Sequence, residues 1–214
     1  MKPIIALYIS IACLFQPAMA MEPDPFDDVP DFVAKPATAA VLQQLRKGGY
    51  VLYMRHGNTD TKHPDNLPNV DLNDCSTQRP LTKEGRRIAA EVGKEIRKAG
   101  IPLGEIFSSP MCRAKESALA AFGEKFKIIN TLMYTSNMST KEKAPVLEMT
   151  RELLSRPVEG KVNRVVVAHA PNLMDIFGYF PKPEATVVIF KPMGDKNFKY
   201  IASIAPGQWK TLQH

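Results

Sequence analysis

Two histidines and two arginines each stand at or shortly after the end of a segment whose apolar pattern predicts a buried strand. They are Arg55 and His56 after 50–54, Arg113 after 105–108, and His169 after 164–168. The carboxyl ends of parallel strands meet at one edge of an open sheet, and ligands bind at that edge. We therefore expect these four side chains to lie close together.

The four side chains are of the types that phosphoryl transfer requires. Two guanidinium groups can hold a phosphate through charge-assisted hydrogen bonds, and an imidazole facing the phosphorus can act as a nucleophile. A second imidazole can stabilise charge on the transferring group. Because this chemistry depends mainly on positioning and charge stabilisation, the set predicts a pocket without a metal or other cofactor. Gly57, the next residue, would leave room for the substrate and offer its N–H as a donor.

From residue 37 onwards, helical and strand patterns alternate along the chain. The predicted helices cover 38–47, 82–100, 110–122, 141–155 and 171–177. The predicted strands cover 50–54, 105–108, 127–132, 164–168, 186–190 and 198–204. Alternating units of this length are typical of an α/β protein, so we expect three layers, α/β/α, with a mostly parallel central sheet.

The first 36 residues are expected to stand apart from this domain. Residues 1–20 combine a lysine, an apolar stretch too short to span a bilayer and small residues at the end, which is the pattern of a secretory signal cleaved after Ala20. An uncleaved anchor is the alternative. Residues 21–36 are rich in proline and acidic residues, which predicts an extended, poorly ordered lead-in. We expect residues 37–214 to form a single domain in the periplasm or outside the cell.

Export would change the chemistry of the cysteines. Cys13 would leave with the signal, so the mature chain would keep Cys75 and Cys112. Two cysteines in an oxidising compartment can form a disulfide, and closing a loop of this length would stabilise the fold by about 3–4 kcal/mol. Two unpaired thiols are the alternative.

The composition is that of a globular domain with a core of ordinary size. The chain has 214 residues, of which 44% are hydrophobic and 23% charged, so it is too polar for an integral membrane protein and too apolar for a disordered one. Its net charge of +6 favours anionic ligands, but no run of lysine and arginine is dense enough for a nucleic-acid site. We expect a small phosphorylated substrate as partner, no nucleic acid, and no membrane span after signal cleavage. The sequence does not indicate an oligomeric state.

The motifs around the four candidate residues resemble those of the histidine phosphatase superfamily, which has the phosphoglycerate mutase-like fold. The segments that carry the resemblance are 54–60 (MRHGNTD), 79–85 (RPLTKEG), 108–114 (SSPMCRA) and 167–169 (VAH). They occur in the family's order within residues 50–178. The resemblance implies that Arg55 and Arg113 bind phosphate. It also implies that His56 is phosphorylated and that His169 assists.

The resemblance leaves the general acid open. Ala170 stands where one branch of the superfamily carries an acidic proton donor, and no counterpart of the glutamate motif of the mutase-like branch follows Arg113. Our candidate is Glu142, near the start of the predicted fourth helix, with Glu148 and Asp60 as rivals. The small phosphohistidine phosphatases of the superfamily work without a dedicated donor.

Three further polar residues lie close to the motifs. Arg79, in the loop before the second predicted helix, either reaches the pocket or holds the loop in place. Asn172, in the first turn after the last motif, is expected to bind substrate. His63 lies in a polar loop and is expected at the surface.

Together these observations predict a metal-independent phosphomonoesterase, a phosphoric monoester hydrolase, that acts through a phosphohistidine. Resemblance to periplasmic relatives suggests an envelope sugar phosphate as substrate, such as a phosphorylated heptose of the lipopolysaccharide core. One alternative is a catalytically weak or inactive phosphate-binding module of the same fold. Another is a metal-dependent hydrolase, whose candidate ligands would be His56, Asp60, His63 and His169.

Overall fold

A six-stranded sheet with helices on both faces organises residues 32–213, the part of the chain that this computed structural model describes. The helices are α1 (Ala39–Arg46), α2 (Lys83–Lys98), α3 (Cys112–Phe122), α4 (Thr140–Ser155) and α5 (Ala170–Phe177). The strands are β1 (Val51–Arg55), β2 (Leu103–Ser108), β3 (Lys127–Ile128), β4 (Asn163–Ala168), β5 (Val187–Gly194) and β6 (Asn197–Ile204). The predicted signal, 1–20, and most of the predicted lead-in lie outside the described residues. No helix within 32–213 is both long enough and apolar enough to cross a membrane.

The sheet is mostly parallel, as the alternating pattern predicts. Its strand order is β3-β2-β4-β1-β5-β6, and the first four strands of that order run parallel to one another. β5 runs antiparallel to β1, and β6 pairs antiparallel with β5 as a terminal hairpin. β2, β4 and β1 are therefore neighbours, so their carboxyl ends lie side by side at one edge.

Both faces of the sheet are buried, which explains why the central strands are continuously apolar. In β1, Leu52 and Met54 pack with α1, α2 and α3, whereas Val51 and Tyr53 face the core formed with α4 and α5. α2 begins where the sequence predicts, because the side-chain oxygen of Thr82 accepts the N–H of Gly85 at the helix start. The helices therefore hold the site-bearing strand ends from both sides.

One predicted strand is much shorter than expected. The predicted strand 127–132 is a strand only over Lys127–Ile128, and the chain then turns, with the N–H of Leu132 donating to the carbonyl of Ile129. Leu132 is fully buried in the core on the α4 and α5 side. Its burial accounts for the apolar pattern that suggested a longer strand.

The last part of the predicted lead-in, residues 32–36, is packed, so the expectation that it is poorly ordered is wrong there. The ring of Phe32 lies against Phe177, Tyr179 and Tyr200, with centroid distances of 4.5–5.2 Å. The residues after Phe32 hydrogen-bond to β6. Aromatic burial and these backbone contacts fix the segment in an extended conformation.

The predicted disulfide between Cys75 and Cys112 is present, with the two Cα atoms 5.7 Å apart. It joins the segment between β1 and α2, residues 56–82, to the first residue of α3. We call this segment the β1–α2 loop. The side-chain oxygen of Gln78 accepts the N–H of Cys112 beside the disulfide, at 2.8 Å. The loop is therefore fastened to α3 next to Arg113.

Candidate active site

The three neighbouring strand ends bring the predicted histidines and arginines together. β1 ends at Arg55, so His56 follows it directly, and His169 follows β4 as the N-cap of α5. The two imidazole rings lie with their centroids 5.3 Å apart. Arg113 lies in the first turn of α3, after β2.

The His56 ring is held through one of its two nitrogen atoms. Its side chain is 2% exposed, and Nδ1 lies 2.8 Å from the carbonyl oxygen of Gly57. A carbonyl only accepts, so Nδ1 carries the proton and Nε2 keeps its lone pair. Burial, reinforced by the charge of Arg113, holds the pKa of the His56 imidazole well below its usual value. The ring is therefore neutral near pH 7 and able to attack.

His169 is held by two hydroxyl groups. Ser109 Oγ lies 2.7 Å from Nε2 of the ring. The Tyr53 hydroxyl donates to the His169 carbonyl at 2.8 Å and accepts its N–H at 3.1 Å. Burial and then the charge of Arg113 keep the pKa of His169 well below its usual value, so this ring is also neutral near pH 7.

Arg55 is fixed by contacts with the segment that precedes β5. Nη2 lies 3.2 Å from Oε1 of Glu184, and Nη1 donates to the carbonyl of Pro181 at 2.8 Å. The guanidinium also lies over the Phe180 ring, with Cζ 5.1 Å from the centroid. These contacts hold the guanidinium in place and leave Nε free to bind a ligand.

Arg113 is fully buried and is fixed in a similar way. Nη1 donates to Oδ1 of Asp65 at 2.9 Å, and Cζ lies 4.9 Å from the centroid of the Tyr134 ring. The Tyr134 ring in turn lies 5.5 Å from that of His169. Asp65 and Tyr134 therefore belong to the site, although they are outside the motifs found in the sequence.

A third arginine, Arg79, also belongs to the site. It lines the same cavity as Asp65 and Tyr134, and its charge lowers the pKa of both His56 and His169. Its Nε is buried without a hydrogen-bond partner among the described residues. Of the two roles open for Arg79, reaching the pocket is thus the one that the structure favours.

Buried side-chain nitrogen atoms without hydrogen-bond partners are concentrated at this site. Among residues 32–213, eight buried side-chain nitrogen and oxygen atoms have no hydrogen-bond partner, and five of these belong to the arginines and His169. The five are Arg55 Nε, Arg79 Nε, Arg113 Nε, Arg113 Nη2 and His169 Nδ1. Native structures leave few such groups unpaired, and a set of this kind is satisfied by a ligand with several acceptor oxygens. A tetrahedral oxyanion is such a ligand.

Glu142, the predicted general acid, is placed elsewhere. Its exposed carboxylate accepts the backbone N–H and the hydroxyl of Ser139, while Ser139 Oγ accepts the N–H of Glu142. These hydrogen bonds lower the pKa of Glu142. The carboxyl is therefore engaged in capping α4 at an exposed position. The spacing of Ser139 and Glu142 is that of a capping box, a signal that the sequence already contained.

Gly57 differs from its predicted role, and the side chain of Asn172 is partly engaged by the protein itself. The N–H of Gly57 donates to Ser117 Oγ at 2.9 Å, so it is not available to a substrate. A Cβ at Gly57 would lie 2.4 Å from the carbonyl oxygen of Gly85, so the absent side chain makes room for α2. The side-chain amide of Asn172 donates to the carbonyl of Met133 and holds the segment before Tyr134.

The remaining polar candidates point to solvent. His63 is exposed as predicted and pairs with Asp60 at 2.8 Å, and Glu148 pairs with Lys196 on the surface. The metal-dependent alternative requires Asp60 and His63 to lie beside His56. Instead, they pair with each other at the surface. Within the described part of the chain, no group of three or more His, Cys, Asp and Glu side chains could hold a metal ion.

The structure is thus an α/β/α protein that carries two neutral imidazoles and three guanidinium groups at the carboxyl ends of its parallel strands. A family model described as histidine phosphatase superfamily (branch 1) matches residues 51–133. No curated protein matches the sequence. The chain is therefore similar to the histidine phosphatase superfamily over residues 51–133, the part that holds Arg55, His56, Arg79 and Arg113.

Several solved structures share the fold. The protein histidine phosphatase SixA complexed with tungstate is 15% identical, with a TM-score of 0.51, over 74% of this chain and 98% of that chain. The alpha-ribazole phosphatase from Shigella flexneri is 13% identical, with a TM-score of 0.51, over 73% and 96%. A mycobacterial glucosyl-3-phosphoglycerate phosphatase in complex with VO3 is 15% identical, with a TM-score of 0.50, over 72% and 98%. At these identities the similarity shows the fold.

Proposed function

We propose that the protein is a metal-independent phosphomonoesterase that acts through a phosphohistidine at His56. The observation that carries the proposal is a set of five buried nitrogen atoms without partners, four in guanidinium groups and one in His169, beside two neutral imidazoles. Phosphate has several acceptor oxygens and a negative charge, so it matches this set in both hydrogen bonding and charge. The site holds three arginines and two carboxylates, Asp65 and Glu184, so its net charge is positive.

The binding step uses the arginines and His169. Nε of Arg55 and the free N–H groups of Arg113 bind phosphate oxygens from two directions. With Ser109 donating to Nε2, His169 carries its proton on Nδ1 and donates it to another oxygen. The tungstate and VO3 complexes of two structurally similar phosphatases support the choice of an oxyanion.

The chemical steps use His56. Nε2 attacks phosphorus and forms an N–P bond while the bond to the ester oxygen breaks. Water then attacks the phosphohistidine, which releases inorganic phosphate and restores the neutral ring. The hydrogen bond from Nδ1 to the Gly57 carbonyl stabilises the positive charge that the ring gains while phosphorylated.

A small hydroxylated phosphate ester is the substrate class that the surroundings favour. A cavity of about 250 Å³ adjoins the site, and polar side chains of Thr61, Asp65, Arg79 and Asn137 contribute to its lining. Hydroxyl groups of a leaving alcohol would find donors and acceptors there. An envelope sugar phosphate fits this description and is our specific proposal. Disulfides persist in oxidising compartments, so the bond between Cys75 and Cys112 is consistent with a periplasmic or secreted protein.

The test is turnover of 4-nitrophenyl phosphate by wild type and His56→Ala, with trapping of acid-labile phosphate on the protein. We expect His56→Ala to remove both turnover and trapped phosphate, and a chelator to leave wild-type activity unchanged. Turnover that survives in His56→Ala would contradict the proposal. Phosphate binding without turnover in the wild type would instead favour the inactive binding module. Loss of wild-type activity on chelation would favour a metal enzyme.

A further inference from the structure

Among the described residues, two carboxylates contact the phosphate-binding arginines. Glu184 pairs with Arg55 and also accepts a hydrogen bond from Thr59, so both contacts hold it on the β1 side of the site. Asp65 pairs with Arg113 at 2.9 Å. Both are candidates for a proton donor, a role that the capping position of Glu142 leaves open.

Asp65 lies between the phosphate-binding groups and the space available to a leaving group. It lines the cavity of about 250 Å³ and also a smaller, more apolar one of about 90 Å³ next to it. Tyr134, which covers Arg113, lines both cavities as well. Glu184 lines neither. The position of Asp65 is therefore that of a group able to reach the oxygen between phosphorus and the departing alcohol.

The hydrogen bonds of Asp65 leave one oxygen available for proton transfer. Oδ1 accepts both the Arg113 side chain, at 2.9 Å, and the backbone N–H of Arg79, at 2.8 Å. These bonds orient the carboxyl and leave Oδ2 to exchange a proton.

The carboxyl is held in place by the β1–α2 loop. The N–H of Asn66 donates to the carbonyl of Thr77 at 2.9 Å, which ties the chain next to Asp65 to the turn that contains Cys75. The disulfide then ties that turn to Cys112, next to Arg113. The chain next to Asp65 is thus connected to the start of α3 through one hydrogen bond and the disulfide.

We infer that Asp65 is the general acid and base of the reaction, an assignment that rests on the proposed function. The carboxyl donates its proton to the ester oxygen as His56 Nε2 displaces it, so the leaving group departs as an alcohol. In the second step the carboxylate takes a proton from the attacking water. The water oxygen replaces Nε2 on phosphorus, and the proton on Asp65 is restored.

The test is to compare Asp65→Asn with wild type on two substrates. Glycerol 2-phosphate has an alkoxide leaving group that needs a proton, whereas 4-nitrophenyl phosphate releases a stable anion that does not. We expect Asp65→Asn to lose about 10²–10⁴-fold in kcat/KM on glycerol 2-phosphate and less than about 10-fold in the rate of His56 phosphorylation by 4-nitrophenyl phosphate. Asp71→Asn, which changes an exposed carboxyl of the same loop, is the matched control and should resemble wild type on both.

Equal losses on both substrates in Asp65→Asn would overturn the inference, because a residue that only positions Arg113 would affect both alike. Equal rates with wild type would overturn it too. Asp65→Glu keeps a carboxyl and should recover part of the activity on glycerol 2-phosphate; no recovery in a folded protein would count against a proton-transfer role. Absence of phosphate on His56 in the wild type would refute the proposed function itself. Phosphate on His56 with no substrate-dependent loss would refute only the role of Asp65.

Discussion

The buried histidines predict that the fold loses stability on mild acidification. His56 and His169 are held neutral in the folded state, because burial and the nearby arginines lower the pKa of each ring well below its usual value of 6.5. In the unfolded chain both rings take up a proton as the pH falls below that value. The unfolded state then binds more protons than the folded state, so this part of the stability is present above about pH 6.5 and is lost below it.

Linkage sets the size of the effect. Two protons bound only by the unfolded chain lower the free energy of unfolding by at most about 3 kcal/mol per pH unit. Urea unfolding at several values between about pH 5 and 7 measures this slope. Inorganic phosphate should flatten the slope, because a bound anion offsets the charges that keep the imidazoles neutral.

Two variants test whether His56 and His169 cause this pH dependence of the free energy of unfolding. Replacing both His56 and His169 by asparagine should remove most of it, whereas His63→Asn, at an exposed position, should leave it in place. A free energy of unfolding that is independent of pH over this range in the wild type would refute the reasoning. A slope that persists in the double asparagine variant would do the same.

Four other changes test separate parts of the structure. Arg113→Ala should lower kcat/KM by at least about 100-fold, the scale of a lost oxyanion stabiliser; a wild-type rate would exclude it from phosphate binding. Ser109→Ala should lower kcat about 10-fold or more, because His169 loses the hydrogen bond that fixes its proton; an unchanged kcat in the folded variant would contradict this. Changing both Cys75 and Cys112 to serine should lower the free energy of unfolding in urea by about 3–4 kcal/mol, and a loss below about 1 kcal/mol would contradict the loop-closure argument. Gly57→Ala should lower the melting temperature through a loss of about 1–3 kcal/mol, because its Cβ meets the backbone of α2; an unchanged temperature would show that α2 can move aside.

The sheet could be predicted because its central strands have a simple environment. β4 is buried along its whole length, and its continuous apolar sequence is typical of a central parallel strand. β1 is buried in the same way except at Arg55, its last residue. The edge strand β3 has one partner strand, and the apolar residues after it are buried in a turn. An apolar pattern indicates which residues are buried, not whether they pair as a strand. After β3 the apolar residues are buried but do not pair with another strand.

The site could be predicted only where it follows the strands. Arg55, His56 and His169 are placed by the strand ends that precede them, which the sequence pattern locates. Asp65 is placed by a disulfide and by backbone contacts within an irregular loop, and Tyr134 by a hydrogen bond to the residue before it. Such contacts between distant parts of the chain have no periodic signal.

Because the disulfide fastens the β1–α2 loop beside the pocket, the structure of the pocket depends on whether a protein sample has been oxidised. Protein made in a reducing cytoplasm would form the same sheet, since none of the strand pairing involves Cys75 or Cys112. Its β1–α2 loop, however, would be held beside α3 by noncovalent contacts alone. Specific activities from different expression hosts become comparable once intact mass has established the thiol state of each sample.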